Sequence, residues 1–343
     1  MPPPPPSGWV WVANDAAKLE FIRLSPPAWL EAYPRLSAFF LGPVAWASVT
    51  LVCSFFYIDA MLVLACLTGL LVDASRGYAL AVFACLALLC TFPNRPWRAV
   101  QTLFWLWTDI FKIKANVPNL DPAQRYLFVI APHGVFPFWS WVYSTFLSQS
   151  PYGKPVGGGV ASVLLSVPLM RQLTKWTACV PASYKPLKSA LMRESQQICP
   201  EGIAGIFATP KNFRNANVQT LELRERKGFV RLAIQCGAPI VPVYCFGNSD
   251  TFTLAGGAGS TLAALSRTLK MSITCFYGQC GLPIPFAVNL TMVSGRPVAV
   301  RQTDEPTQAE IDAVHAEYLA SLTQAFEGGK EAAGYGAQKL VIV

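Results

Sequence analysis

Two hydrophobic patterns divide the chain. From Leu36 to Phe92 apolar residues follow one another almost without interruption, and only Asp59, Asp73 and Arg76 are charged. A membrane span needs about 20 such residues, so the stretch holds two helices and is tight for three. We read residues 36–92 as a transmembrane helical hairpin, its turn near Asp59 or near Asp73–Gly77. Residues 1–35 ahead of it carry Pro2–Pro6, Pro26, Pro27 and Pro34 and are read as a partly disordered N-terminal arm. Beyond it, residues 93–343 break into short apolar runs bounded by glycine, proline and polar residues, the pattern of alternating strands and helices.

Within this C-terminal part strands are expected at Tyr126–Ala131, Val218–Leu223, Pro239–Phe246 and Thr291–Ser294, with another near Ala178–Val180. Helices are expected over Ala161–Thr174, over Lys185–Gln196, and from Arg224–Phe229 to about Cys236, where Gly237 closes the last. Glu305–Phe326 sets Ile311, Val314, Tyr318, Leu322 and Phe326 on one stripe, with His315 beside it in a structural place. Ala99–Ile110 reads as an amphipathic or membrane-lying helix, Gly157–Gly159 as a loop, and the aromatic run Phe136–Phe146 as packing or the wall of an acyl-chain channel. The fold class is therefore α/β, a membrane-anchored domain behind a helical hairpin.

Composition sharpens this. Hydrophobic residues are 53% and charged residues 13% of the chain, against a usual charged share of about 25%, which favours a membrane protein. Lys18, Arg23 and Arg35 precede the hairpin and Arg95, Arg98, Lys112 and Lys114 follow it, so both flanks are expected on the cytoplasmic side. The net charge of +8 suits an anionic partner such as a lipid leaflet or a phosphorylated co-substrate. Nucleic acid is set aside, because no recognition signature accompanies the charge. The ten cysteines are scattered without a Cys-x-x-Cys pair and read as thiols in a reducing compartment.

Candidate chemistry sits where the Tyr126–Ala131 strand stops. Pro132 lacks a ladder donor and Gly134 permits a sharp turn, which lifts His133 off the sheet edge. With only two histidines in the chain, His133 is the obvious base near neutral pH, set against a histidine that merely ends a strand. A second stretch, Pro200-Glu201-Gly202 running to Gly205, offers a carboxylate to orient the histidine or a substrate hydroxyl, set against an ordinary turn with a solvated glutamate. A third, Arg226-Lys227-Gly228, opens a helix with cations and free backbone N–H groups, an anion site suited to coenzyme A phosphates or a basic face on lipid headgroups.

The ordered set Ala131-Pro132-His133-Gly134, Arg226-Lys227-Gly228-Phe229, Val241-Pro242-Val243-Tyr244-x-Phe246-Gly247, Gly295-Arg296-Pro297 and His315-x-x-Tyr318 resembles the type-2 diacylglycerol acyltransferase family. That family includes monoacylglycerol and wax-alcohol acyltransferases, and the similarity covers most of the chain. Three departures stand out: Ala131 replaces the family's first histidine, Ile110-Phe111-Lys112 stands for a Tyr-Phe-Pro block, and the glutamate of the Pro-Gly-Gly-x-x-Glu block has moved to Glu201. The resemblance implies a glycerolipid acyltransferase-like domain that uses acyl-CoA as co-substrate and diacylglycerol as acceptor, with no bound cofactor or metal. His133 and Glu201 would be the catalytic pair, and Pro132, Gly134, Gly202, Gly205, Arg226, Lys227 and Gly228 the substrate-binding set. It also implies an endoplasmic reticulum membrane enzyme with both ends cytoplasmic, the lipid droplet as a second address, and contacts with membrane lipids; a homo-oligomer is compatible with it. Two rivals remain. Lysophospholipid acylation by a His-x4-Asp enzyme is disfavoured by Phe138, which stands at the aspartate position, and a non-catalytic lipid-binding membrane protein would suit the losses at Ala131 and Gly205.

Overall fold

The computed structural model describes residues 9–12, 21–24, 42–72, 75–91, 96, 104–208, 217–269 and 272–343. The strands are β1 (Trp9–Val12), β2 (Phe21–Leu24), β3 (Lys114–Asn116), β4 (Leu127–Ala131), β5 (Gly157–Val160), β6 (Val180–Pro181), β7 (Gln196–Ile198), β8 (Val218–Leu221), β9 (Ile240–Phe246), β10 (Thr253–Leu254), β11 (Phe276–Tyr277), β12 (Thr291–Ser294) and β13 (Lys339–Ile342). The helices are α1 (Gly42–Leu71), α2 (Arg76–Thr91), α3 (Phe138–Gln149), α4 (Pro168–Trp176), α5 (Tyr184–Leu191), α6 (Gly202–Phe207), α7 (Gly228–Cys236), α8 (Thr261–Leu269) and α9 (Gln308–Ala333), beside a single turn at Trp107–Ile110.

Among the described residues nine strands form one mixed sheet in the order β1-β2-β3-β12-β9-β4-β7-β5-β6. Its centre is parallel: β4 pairs with β9 on one side and β7 on the other, and β5 continues from β7. β4 and β9 are buried at every position, as parallel strands covered on both faces must be. Period-2 alternation along β4 splits the core. Phe128 and Ile130 join α3 and the first half of α1, whereas Leu127, Val129 and Ala131 join α7 and α9. The α9 stripe is buried as expected at Ile311, Tyr318, Leu322 and Phe326. Its ends are set by a Thr307–Glu310 capping box and by Gly334 in the left-handed region.

Several local expectations change. Gly157–Val160 is a strand, not a loop, because bare backbone lets neighbours close in: a Cβ on Gly157 would meet Ala178 O at 2.5 Å and one on Gly159 would meet Ile198 Cγ2 at 2.9 Å. The Ala161–Thr174 helix is divided into a 3-10 turn, Ser162–Leu165, and α4, which begins at Pro168. The helix expected to reach Gln196 ends at Leu191, and Gln196–Ile198 joins the sheet as β7. Phe104, Trp105 and Trp107 are core residues rather than a membrane-lying face. The Phe136–Phe146 run is packing, with Phe138, Tyr143 and Phe146 fully buried. Trp9–Val12 and Phe21–Leu24 are sheet-edge strands within the arm expected to be partly disordered. Pro2–Pro6 and nearly all of Pro93–Arg98 lie outside the described residues.

The apolar N-terminal stretch folds as two helices that reverse between Leu71 and Arg76, so the turn falls at the second of the two expected places. Asp59 lies inside α1, buried, where its carboxylate accepts the N–H groups of Leu169 and Met170 at 3.4 Å each and caps the start of α4. Only α1 among the described residues is long and apolar enough to cross a membrane, and α2 is a shorter apolar helix of 16 residues. α1 is also part of the domain. Val49, Val52 and Cys53 sit in the aromatic core, while Met61, Leu64, Leu67 and Leu71 are exposed together with Tyr78, Phe83 and Leu88 of α2.

Candidate active site

The carboxyl ends of β7, β4 and β9 lie side by side, and the residues just past each strand converge. β4 runs out at Ala131 and Pro132, whose carbonyl accepts the Trp139 indole N–H at 3.1 Å. His133 follows, half-buried. Its backbone N–H donates to Glu201 Oε2 at 2.9 Å, and its carbonyl accepts the Asn248 side-chain N–H at 2.8 Å. The imidazole Nδ1 lies 2.9 Å from Gly134 O. A carbonyl only accepts, so Nδ1 carries the proton and Nε2 keeps the basic lone pair. Burial holds His133 below the usual histidine range, against the pull of backbone hydrogen bonding, so the ring is neutral at pH 7.

Gly134 is required twice over. Its φ is +63°, and a Cβ there would lie 2.4 Å from Asn248 Nδ2.

Glu201 is buried rather than a solvated turn residue. It stands at the head of α6 and accepts three donors: His133 N–H, Glu222 N–H at 3.3 Å on Oε1, and the Cys199 thiol at 3.7 Å on Oε2. Burial pushes its carboxyl up to about 7, and the two backbone N–H groups pull the other way. Burial pushes the Cys199 thiol up as well, so it stays a proton donor to Glu201. Glu201 touches the histidine at its main-chain N–H and not at its ring. Gly205 lets α6 pack onto this carboxylate, since a Cβ would meet Glu201 Cβ at 2.5 Å. Gly202, with φ +55°, opens that helix.

The third predicted group lies on the strand connection that leads away from Glu222. Gly228 begins α7, Arg226 is exposed, and Lys227 pairs with Asp312 of α9 at 3.0 Å, which engages that cation. His315 is structural. It is buried in α9, and its Nε2 donates to Leu223 O at 3.2 Å. Among the described residues no three His, Cys, Asp or Glu side chains gather as a metal-binding group.

Asn248 escaped the sequence reading, which stopped at Gly247. It is fully buried, and its Oδ1 has no hydrogen-bond partner among the described residues.

Residues 94–343 match the family model described as diacylglycerol acyltransferase. A zebrafish (Danio rerio) protein, diacylglycerol O-acyltransferase 2, is 26% identical over 276 residues, covering 73% of this chain and 76% of its own length. The bovine (Bos taurus) 2-acylglycerol O-acyltransferase 1 is 30% identical over 62% of this chain and 67% of its own. Human (Homo sapiens) 2-acylglycerol O-acyltransferase 3 is 44% identical over 126 residues, 33% of this chain and 37% of its own. With a neutral histidine held at the carboxyl edge of a parallel sheet and a family match over residues 94–343, the chain belongs to the diacylglycerol acyltransferase family and is an O-acyltransferase.

Proposed function

We infer that the chain transfers the acyl group of acyl-CoA to the free hydroxyl of diacylglycerol, forming triacylglycerol, with His133 as general base. The observation that carries the base is the Nδ1–H bond to Gly134 O, which leaves Nε2 unprotonated on a ring kept neutral by burial. Nε2 takes the hydroxyl proton as the acceptor oxygen attacks the thioester carbonyl. The tetrahedral oxyanion then collapses and expels the CoA thiolate. A free thiol has a pKa of about 8.5, so this leaving group needs little help, and the imidazolium returns its proton to it. Pro132 has no N–H and the His133 N–H is taken by Glu201, so the turn's oxyanion donor is the Gly134 N–H. Glu201 is a positioning residue. Arg226, with the backbone N–H groups that open α7, would meet the phosphates of coenzyme A.

The relatives' names support both a diacylglycerol and a 2-acylglycerol acceptor, so monoacylglycerol is the second reading, ahead of a long-chain alcohol. An endoplasmic reticulum membrane enzyme, both chain ends on the cytoplasmic face and lipid droplets as a second address, fits a hairpin that enters and returns on one side. Membranes carrying the protein, given labelled oleoyl-CoA and diacylglycerol, should make labelled triacylglycerol, and membranes with His133→Ala should not. Product from both would remove His133 from the mechanism. Product only with monoacylglycerol would install the second acceptor.

A further inference from the structure

We propose that Asn248 is a positioning residue for the base, one jaw of a clamp that holds the base's backbone where the sheet's pairing has stopped; this rests on the reading of His133 as base. In a parallel sheet a residue turns its N–H and C=O to the same neighbouring strand, and successive residues alternate between the two neighbours. β4 lies between β7 and β9, and its ladder ends at Ala131, followed by a proline. His133 departs from that alternation, and its two backbone groups are met one from each side. Its N–H goes to Glu201, just past β7, and its C=O receives Asn248 Nδ2, just past β9. Two side chains hold this residue beyond the end of the backbone ladder.

Fixing both groups fixes φ and ψ of His133 and so the direction of its Cα–Cβ bond. The Nδ1–H bond to Gly134 then sets the ring, and Nε2 has one direction left. Two further observations single out Asn248. The turn is built around it, with no room for a Cβ on Gly134. And its Oδ1 is buried without a partner among the described residues, so the bond to the His133 carbonyl is what orients the amide. A buried asparagine kept only for packing would satisfy both ends.

The test uses the full-length protein in detergent–lipid micelles, with kcat, KM for acyl-CoA and the melting curve recorded from acid to alkaline pH. N248A should lower kcat by about 10- to 100-fold, the scale of a small misplacement of a catalytic group, with KM for acyl-CoA little changed. N248D adds a readout that a packing role would not move. While protonated, its carboxyl donates to the His133 carbonyl as the amide does, and once ionised it has no proton to give. The N248D to N248A activity ratio should therefore be high at acid pH and fall towards unity as pH rises. The ionisable groups at this turn, His133, Glu201, Asp250 and the Tyr335 hydroxyl bonded to Asp250, are the same in both variants, so the ratio compares like surroundings. If N248A does not accumulate, the ratio of N248D to wild type carries the same test. A flat ratio, or kcat losses that match only the loss of folded protein, would overturn the clamp. H133A run alongside separates the two ideas: its inactivity with normal Asn248 variants sinks the clamp alone, and its activity sinks the reading of His133.

Discussion

The surroundings of the two histidines differ more than the histidines themselves. Each ring gives one N–H to a backbone carbonyl, Nδ1 of His133 to Gly134 and Nε2 of His315 to Leu223. Burial is the first cause that holds each below the ordinary histidine range. His315, however, has its backbone inside α9 and its ring centroid 6.1 Å from that of Phe229 and 6.3 Å from that of Tyr318, where it ties the helix to the chain at Leu223. His133 stands outside any regular element, and its backbone is held by buried side chains from beyond two other strands. The histidine proposed as base is set apart by what holds its backbone, not by its ring's proton affinity.

Exchanging the two residues' fates is the strongest way to break this contrast. His133→Ala should cut kcat by about 10²- to 10⁴-fold with a melting curve close to wild type. His315→Ala should lower the melting temperature while the folded fraction keeps its kcat. Equal losses of kcat would dissolve the distinction. Gly134→Ala comes next, because it combines a left-handed φ with a 2.4 Å approach to Asn248. Denaturant unfolding should show a loss of about 2–4 kcal/mol, and a near-neutral result would mean that the turn is looser than described.

The buried carboxylate sharpens the contrast through pH. Glu201 is raised from 4.5 to about 7 by burial, so between these values the folded protein binds a proton that the unfolded chain has lost. Stability from this group is therefore lost as pH rises through that window, by about 3 kcal/mol in total. Glu201→Gln cannot ionise, so the stability difference between wild type and variant should change across pH 4.5–7 by that amount and level off above; a constant difference would contradict it. The smallest effect is on rate. The acid limb of the kcat/KM profile should fall below the usual histidine value of about 6.5, since the base is needed neutral and burial disfavours its charged form. A limb above that value would mean that an anion faces the ring.

Much of this was legible in the chain. β4 and β9 are continuous apolar runs, β12 is a weaker one, α7 closes at a glycine and α9 carries an apolar stripe, and His133 was visible because a proline and a glycine end its strand. β7 was not, because its polar positions imitate a helix end: Gln196 and Gln197 are buried in the sheet, and Gln197 Nε2 donates to Ser140 O. The glycines of β5 imitate a loop for the same local reason. Asn248 was invisible for a deeper one. Its place depends on which strand lies next to β4, and strand order is written in no local pattern.

The first half of α1 has a consequence for where the reaction takes place. Val49, Val52 and Cys53 are walls of the enzyme's own interior, the Tyr57 hydroxyl bonds the backbone of Phe276, and Asp59 caps α4. The exposed apolar part of the helix, a candidate membrane span, is the uninterrupted continuation of those walls. An enzyme on a slack tether sweeps a volume; one whose mooring is cast into its frame is held at a single height. Its search for a glycerolipid acceptor is then a search in two dimensions, and the acceptor concentration it experiences is that of the leaflet beneath it.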